Sequence, residues 1–493
     1  MLMKLKRNHT IPLYQQIIDE IKHLIDRGAL DIDQPLPSSR KLAEILGVNR
    51  TTVNHAYEEL QAQGFLSSRP GSYHKVQKRR KEVDYNPDRK SLISWKGSST
   101  DRARQIHEMF LRYSPEHPRS VTTRKDTINI SRLDLDPRLF PMTEFKRCTN
   151  SVLCRSGSAS LLYGDHKGFF PLRELIAQRL RLHGIAATSE EILITNGAQQ
   201  AIDLVCRIFI RQNTKVAIET PTYANVLPLL QFVGADIAAI PMTDEGMDLN
   251  RLDAVLSKEA VSFVYSIPNF QNPTGITTTH EHRERLLTIC LKHKVPIVED
   301  GFEEDMKYFG KVPLPIKSID EANIVIYLGT YSKVLFPGLR VGWVTADRDC
   351  ISRMTALKRF SDLTSSPFNQ MIMHEFIRNG YYDRQLKRLH RVFRKRMQLA
   401  LAKMDEHFPE QTPWTKPAGG YTIWVTLPKR MDEVRLHDHM LRHGVVVSPG
   451  SYYFPNKKVS GHFRISISRL NETEISEGIA RAGKALHQMI TGG

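Results

Sequence analysis

Lys333 stands in the segment Thr330-Tyr331-Ser332-Lys333-Val334-Leu335-Phe336-Pro337-Gly338-Leu339-Arg340, behind two hydroxyl side chains and seven positions ahead of an arginine. A lysine amine condenses with an aldehyde to a Schiff base, and hydroxyls with a guanidinium hold a phosphate. The cluster therefore suits a small molecule that carries both groups. Upstream, Asn196-Gly197-Ala198-Gln199-Gln200 follows an apolar run and opens a helical pattern. Small residues at a helix start let backbone N–H groups approach an anion. Taken singly, Lys333 reads as a surface lysine, Asp300 as a capping acid, Tyr223 as a core aromatic and Arg464 as half of a salt bridge.

The elements that must position these residues begin at Ile128. Short apolar runs at Ile192–Thr195, Val216–Glu219, Phe263–Ser266, Ile297–Glu299 and Ile324–Leu328 alternate with helical stretches, which predicts buried parallel strands in a three-layer α/β domain. A long helix over Tyr382–Met404 then leads to strands at Tyr421–Leu427, Val445–Ser448 and Phe463–Ser466, a smaller α+β lobe. Ahead of them lies a different pattern. Leu13, Ile17, Ile21, Leu24 and Ile25 form one helical stripe, Ser38 caps a second helix ended by Gly47, and Asn49 caps a third whose Val53, Ala56, Tyr57 and Leu60 face inward. Phe65-Leu66 and Tyr73–Val76 around Pro70-Gly71 read as a two-stranded wing. The expected division is 1–76, a linker over 77–127 with one helix from Asp101 to Tyr113, and a domain over 128–490 with lobes meeting near 375/376.

The chain has 493 residues and a formal net charge of +17, which favours a polyanionic partner. The charge is uneven: residues 1–76 carry 10 Lys and Arg against 8 Asp and Glu, and residues 77–125 carry 13 against 6. The most basic stretch is thus the linker, either a solvated tether or a phosphate contact. Five cysteines without a CxxC pair argue against a disulfide frame and structural zinc, and no metal site is expected. No apolar run approaches membrane-spanning length and none follows the charged start as a signal core would, so the expected location is the cytoplasm.

Pro37-Ser38-Ser39-Arg40-Lys41-Leu42-Ala43 and Gly47-Val48-Asn49-Arg50-Thr51-Thr52-Val53, with the Gly71 wing, resemble the winged helix-turn-helix of the GntR family of bacterial regulators. Asn49, Arg50, Thr51 and Thr52 then present donors to base edges and phosphates at a helix start, while Ser38, Arg40 and Lys41 position the backbone. Arg69 would reach a minor groove from the wing. The family's wing usually carries a second glycine and a threonine where Ser72-Tyr73-His74 stand here.

Residues Ile128–Met489 resemble fold-type I aminotransferases. The resemblance implies pyridoxal 5′-phosphate bound through Lys333, with Gly197, Ala198, Gln199, Thr330, Ser332 and Arg340 around its phosphate. It implies that Tyr223 stacks on the pyridine ring and that Asn272 binds the phenolic oxygen, with a cis Asn272-Pro273 bond. It assigns Asp300 to the pyridine nitrogen and Arg464 to a ligand α-carboxylate. Tyr163 is implied to reach the phosphate of a neighbouring subunit, hence a homodimer, for which a head-to-tail pairing is one arrangement. Phe302 departs from the family, which usually places a tyrosine near here.

The two resemblances together are the architecture of the MocR subfamily of GntR-family transcription regulators. They imply a protein that binds double-stranded operator DNA and senses pyridoxal phosphate, or a small amine or amino acid, through the aminotransferase-like domain. Two alternatives remain: a working aminotransferase with a DNA-binding appendage, and a domain that only dimerises. The basic residues Arg384, Lys387, Arg388, Arg391, Arg394, Lys395 and Arg396 on the long helix read as a solvated face, with a second DNA-contacting surface as the alternative.

Overall fold

A computed structural model describes residues 5–7, 9–68, 73–77, 91–113, 126–211, 213–310, 313–428, 433–456 and 461–491. The chain divides into two compact units, Met1–Ser98 and Ser99–Gly493.

In the first unit α1 (Leu13–Asp26) buries Ile17, Ile18 and Ile21. α2 (Ser39–Leu46) begins where the Ser38 hydroxyl accepts from the Lys41 amide, and it ends at Gly47 in the left-handed conformation. α3 (Arg50–Ala62) begins where the Asn49 side chain accepts from the Thr51 amide, and it buries Val53, Ala56, Tyr57 and Leu60, the spacing read from the sequence. Each cap satisfies an amide that the first turn leaves without a partner. The Tyr57 hydroxyl donates to the Pro37 carbonyl at 2.8 Å and so ties α3 to the start of α2. The base of the wing is the antiparallel pair β1 (Leu66–Ser67) and β2 (Lys75–Val76). Arg69, Pro70, Gly71 and Ser72 lie outside the described residues.

The second unit begins with α4 (Asp101–Tyr113), the helix expected in the linker. Its sheet has eight strands: β3 (Ile192–Thr195), β4 (Lys215–Thr220), β5 (Asp236–Thr243), β6 (Gly246–Met247), β7 (Val261–Ser266), β8 (Ile297–Asp300), β9 (Val325–Thr330) and β10 (Gly342–Thr345). Their spatial order is β3-β10-β9-β8-β7-β4-β5-β6. The core strands β5, β4, β7, β8 and β9 run parallel, while β10 lies antiparallel between β3 and β9. The sequence reading missed β5, β6 and β10, the last because its residues read as the tail of the Lys333 motif. All five expected strands are present.

Three helices that carry or flank the site follow: α5 (Ala198–Phe209), α6 (Val226–Val233) and α7 (Tyr381–His407). α6 meets α4: Gln231 donates to Gln105 at 3.0 Å and Arg102 donates to the Val233 carbonyl at 3.4 Å. The end of the expected linker is therefore part of the second unit. The small lobe holds β11 (Thr422–Thr426), β12 (Ser448–Pro449) and β13 (His462–Ser466) in the order β11-β13-β12, packed with α7 and α8 (Glu472–Thr491).

On α7 most of the basic residues are exposed, as the solvated-face reading expects, but Arg396 is buried and bonds Asp136 at 3.0 Å. Asp136 is fully buried and also accepts from the Arg138 side chain and amide. Burial alone would raise its pKa, yet the bonds from Arg138 and Arg396 hold it below the ordinary carboxylate value. Its stabilising contribution is thus present above the ordinary value and is lost on acidification. Among the described residues, no helix is long and apolar enough to cross a membrane and no cluster is arranged to hold a metal. Asp136→Asn strands the buried Arg396 charge and is expected to cost about 3–5 kcal/mol in urea unfolding at neutral pH. The gap to wild type should narrow as the pH falls and Asp136 itself takes a proton.

Candidate cofactor site and DNA-reading surface

β9 ends at Thr330, whose hydroxyl accepts from the Ser332 amide at 3.2 Å. That tight turn places Lys333 half-buried, with Nζ donating to the Leu133 carbonyl at 2.8 Å. Burial lowers the lysine pKa; the Glu303 and Asp300 carboxylates oppose this, and the Arg464 and Arg340 charges add to it. A lysine so placed gives up its proton more readily than one in water, which an attacking amine requires.

At one end of the site Gly197 precedes α5 with φ +83°. The Arg340 guanidinium donates to the Asn196 carbonyl at 2.7 Å, and a Cβ on Gly197 would lie 2.6 Å from that guanidinium. The conformation and the close approach both require glycine here. The start of α5 with Ala198 and Gln199, the Arg340 cation and the Thr330 and Ser332 hydroxyls form an electropositive cradle for an anion.

Further in, Tyr223 donates to Gln199 at 3.2 Å and accepts from Asn225 at 3.0 Å, which fixes its ring at the cavity wall. Asp300 ends β8 and is buried. Its Oδ2 accepts from the Tyr265 hydroxyl at 2.7 Å, whereas Oδ1 has no hydrogen-bond partner. Burial raises its pKa to about 6, against the pull of Tyr265, the Phe302 amide and Lys333. Asn272 precedes a cis proline, as the resemblance implied, and its Oδ1 accepts from Arg464 at 2.8 Å, so its amide hydrogens are what it has to offer. Arg464, on β13, also donates to the Ser131 carbonyl at 2.7 Å, packs 5.2 Å from the Tyr453 ring and keeps a buried Nε without a partner. Leu133, Tyr223, Asn272, Lys333, Tyr453 and Arg464 line one cavity of about 860 Å³.

This donor set fits pyridoxal 5′-phosphate. The unbonded Asp300 Oδ1 would suit a protonated ring nitrogen, the Gly197–Arg340 cradle would suit a phosphate, and Lys333 lines the cavity. Of the expected cofactor and ligand residues, Tyr223, Asn272, Lys333 and Arg464 line this cavity; Gln199 bonds Tyr223, Asp300 and Arg340 act on the Lys333 charge, Arg340 packs at Gly197 beside Ala198, and Thr330 and Ser332 form the turn before Lys333. Tyr163 is 82% exposed and lies outside the cavity of its own chain. Phe302 puts a buried phenyl ring 5.9 Å from the Lys333 amine, where a phenol was the family's expectation. The sequence reading missed Tyr265 and Tyr453. Tyr265 had a signal, because it lies one residue before the end of an apolar strand.

In the first unit Arg40, Lys41, Asn49, Arg50 and Thr51 are exposed and Thr52 is half-exposed. The Ser38 hydroxyl is engaged as a cap, and Arg50 Nε lies 3.4 Å from the Ser39 hydroxyl, so the starts of α2 and α3 form one polar surface. Arg69 lies outside the described residues.

Residues 131–481 match the family of class I and II aminotransferases, and the chain belongs to it. Residues 13–76 match the gntR family of bacterial regulatory proteins, and the pairing is the MocR architecture. The chain is 30% identical over 491 residues to the uncharacterized HTH-type transcriptional regulator YisV of Bacillus subtilis, covering 98% of each. It is 35% identical over 358 residues to 2-aminoadipate transaminase of Thermus thermophilus, covering 72% of this chain and 88% of that one. The crystal structure of LysN, the α-aminoadipate aminotransferase of Thermus thermophilus complexed with N-(5′-phosphopyridoxyl)-L-leucine, superposes with a TM-score of 0.74 at 30% identity, over 81% of this chain and all of that one.

Lys333→Ala is expected to abolish the visible absorbance that wild type acquires with pyridoxal phosphate. Gly197→Ala, forced against Arg340 and into an unfavourable φ, should weaken cofactor binding about tenfold or more, ~1.4 kcal/mol, in an absorbance titration.

Proposed function

We propose that the protein is a homodimeric transcription regulator that acts in the cytoplasm, binding operator DNA through the start of α3 and reading pyridoxal 5′-phosphate and an amine or amino acid in its second unit. The observation that carries this reading is one chain with both an exposed, capped, donor-rich helix start and a complete anion-and-amine cradle. Bound at the site, the cofactor supplies an aldehyde for amines and an electron-withdrawing ring. Asp300 would hold a proton at the ring nitrogen, Tyr223 would pack on the ring, Asn272 would donate to its oxygen and Arg464 would take a carboxylate. Tyr163, exposed with Leu161 and Leu162 beside it at 69% and 66%, would cover a second copy and reach its phosphate.

A route from ligand to DNA is supported by one detail. Gln231 lines the cavity and also holds Gln105 of α4, the first long helix after the DNA-binding unit. A ligand that favours one packing of α6 therefore biases α4 by its own differential affinity.

The second reading, a working transaminase, is favoured by the intact Lys333, Asp300 and Arg464 and by the 2-aminoadipate transaminase likeness. Release of a 2-oxo acid over many turnovers from an amino acid would favour it over the regulator.

Arg50→Ala should abolish operator binding in a mobility-shift assay and leave the cofactor absorbance untouched; unchanged affinity would remove α3 from the reading surface. Gln105→Ala, which removes the bond from Gln231, should preserve the absorbance while cofactor or ligand alters operator affinity less. Allosteric coupling is typically 5–150-fold, so its loss is measurable.

A further inference from the structure

β7 lies between β4 and β8, and its last two side chains each reach an acid on one of those neighbours. Tyr265 pairs with Val298 of β8, and Asp300 stands two residues further on. Side chains alternate across a strand, so Tyr265 and Asp300 share one face of the sheet as diagonal neighbours, within reach of a long aromatic. The Tyr265 hydroxyl donates to Asp300 Oδ2 at 2.7 Å, and Oδ1 is left without a partner. Tyr265 is wholly buried and Asp300 is 3% exposed, so water does not compete for the bond.

Ser266 treats its acid differently. It donates to Glu219 Oε1 at 2.6 Å, where the Ile267 amide also donates, and Gln271 donates to Oε2. Glu219 is thus committed to the protein through both oxygens. Asp300 is fixed in direction through one oxygen and keeps the other for use. Packing alone would be served by a phenylalanine at 265, as Phe263 serves two residues earlier on the same face. Two other phenols buried around the site bond main-chain carbonyls, Tyr308 that of Gly420 at 2.7 Å and Tyr421 that of Lys333 at 2.6 Å. Tyr265 instead gives its hydroxyl to an acid of the cofactor site.

We propose that Tyr265 is the positioning residue of Asp300: it holds Oδ2, leaves Oδ1 as the oxygen offered to the cofactor's ring nitrogen, and keeps the carboxylate ionised before the cofactor arrives. The inference rests on the pyridoxal phosphate reading of the site. A donor to a carboxylate favours its charged form. An acid that had taken up a proton in the empty site could not balance a protonated ring.

The electrostatics run the same way. Burial raises Asp300 to about 6, and the Tyr265 bond is the largest opposing cause, followed by the Phe302 amide and Lys333. Burial, with the Asp300 charge after it, holds the phenol well above its ordinary value, so Tyr265 remains a donor. The other titratable groups that feel the Asp300 charge are Glu219 on β4, Tyr223, Glu303 after the bend, Tyr327 on β9 and Lys333.

Full-length wild type and Tyr265→Phe are titrated with pyridoxal 5′-phosphate across a pH series, with affinity read from the visible absorbance. Wild-type affinity should fall on the acid side as Asp300 takes a proton. In Tyr265→Phe that fall should come about one to two pH units higher, the effect of losing one hydrogen bond to a charged group. Tyr265→Met decides in its place if Tyr265→Phe does not fold. In an Asp300→Asn background the same change should cost less than about twofold, because the group it acts on is gone. Coincident acid limbs would overturn the inference. So would a loss of equal size at every pH, or an undiminished loss in the Asp300→Asn background, either of which makes the phenol a packing element only. If wild type itself gains no absorbance at any pH, the cofactor reading falls and this inference with it.

Discussion

The second unit is organised around one electrostatic constraint: a lysine amine must be withdrawn from water, yet stay within reach of a small molecule and of the acids that govern its proton. Parallel pairing solves the placement. Asp300 on β8 pairs with Leu328 on β9, and the chain turns through Thr330 and Ser332 to present Lys333 beside it. Both residues sit at the C-terminal ends of their strands, the edge where open α/β sheets bind ligands. The remaining parts follow from that edge. α5 begins there, so its free amides face the same space, and Arg340 is drawn against Asn196 because the turn before β10 crosses the helix start.

The antiparallel strand β10 has a further consequence. It separates β3 from β9, so the segments that supply Gly197 and Thr330 belong to strands that are not neighbours. A Cβ on Gly342, at the start of β10, would lie 2.8 Å from the Gly197 backbone. The phosphate cradle is therefore backbone packed on backbone, with side chains added at its rim. Anion binding at such a place depends on the exact approach of two chain segments more than on any single donor.

How far the residues announced this depends on how local their physics is. Helix caps are local, and Ser38, Gly47 and Asn49 each take the role their types suggest. Apolar strand runs are also local, and all five expected strands form. β10 was hidden because a short strand buried between two others need not alternate, and its residues read as part of the Lys333 motif. Asp136 and Arg396 meet across 260 residues, so nothing near either one distinguishes a buried ion pair from a solvated charge. Tyr163 remained legible only by resemblance, because its expected contact lies on another subunit.

The bond between Arg464 and Asn272 ties ligand capture to cofactor chemistry. Nη1 of Arg464 holds Asn272 Oδ1 and Nη2 holds the Ser131 carbonyl, while Nε is buried without a partner. An incoming carboxylate must share or displace one of these bonds, since a guanidinium binds carboxylates best through two parallel N–H donors. Displacing the first releases the Asn272 Oδ1 and with it the orientation of the amide hydrogens on the same group, while the Phe302 ring carries no donor. Ligand occupancy and the electronic state of the site are then joined through a single side-chain amide.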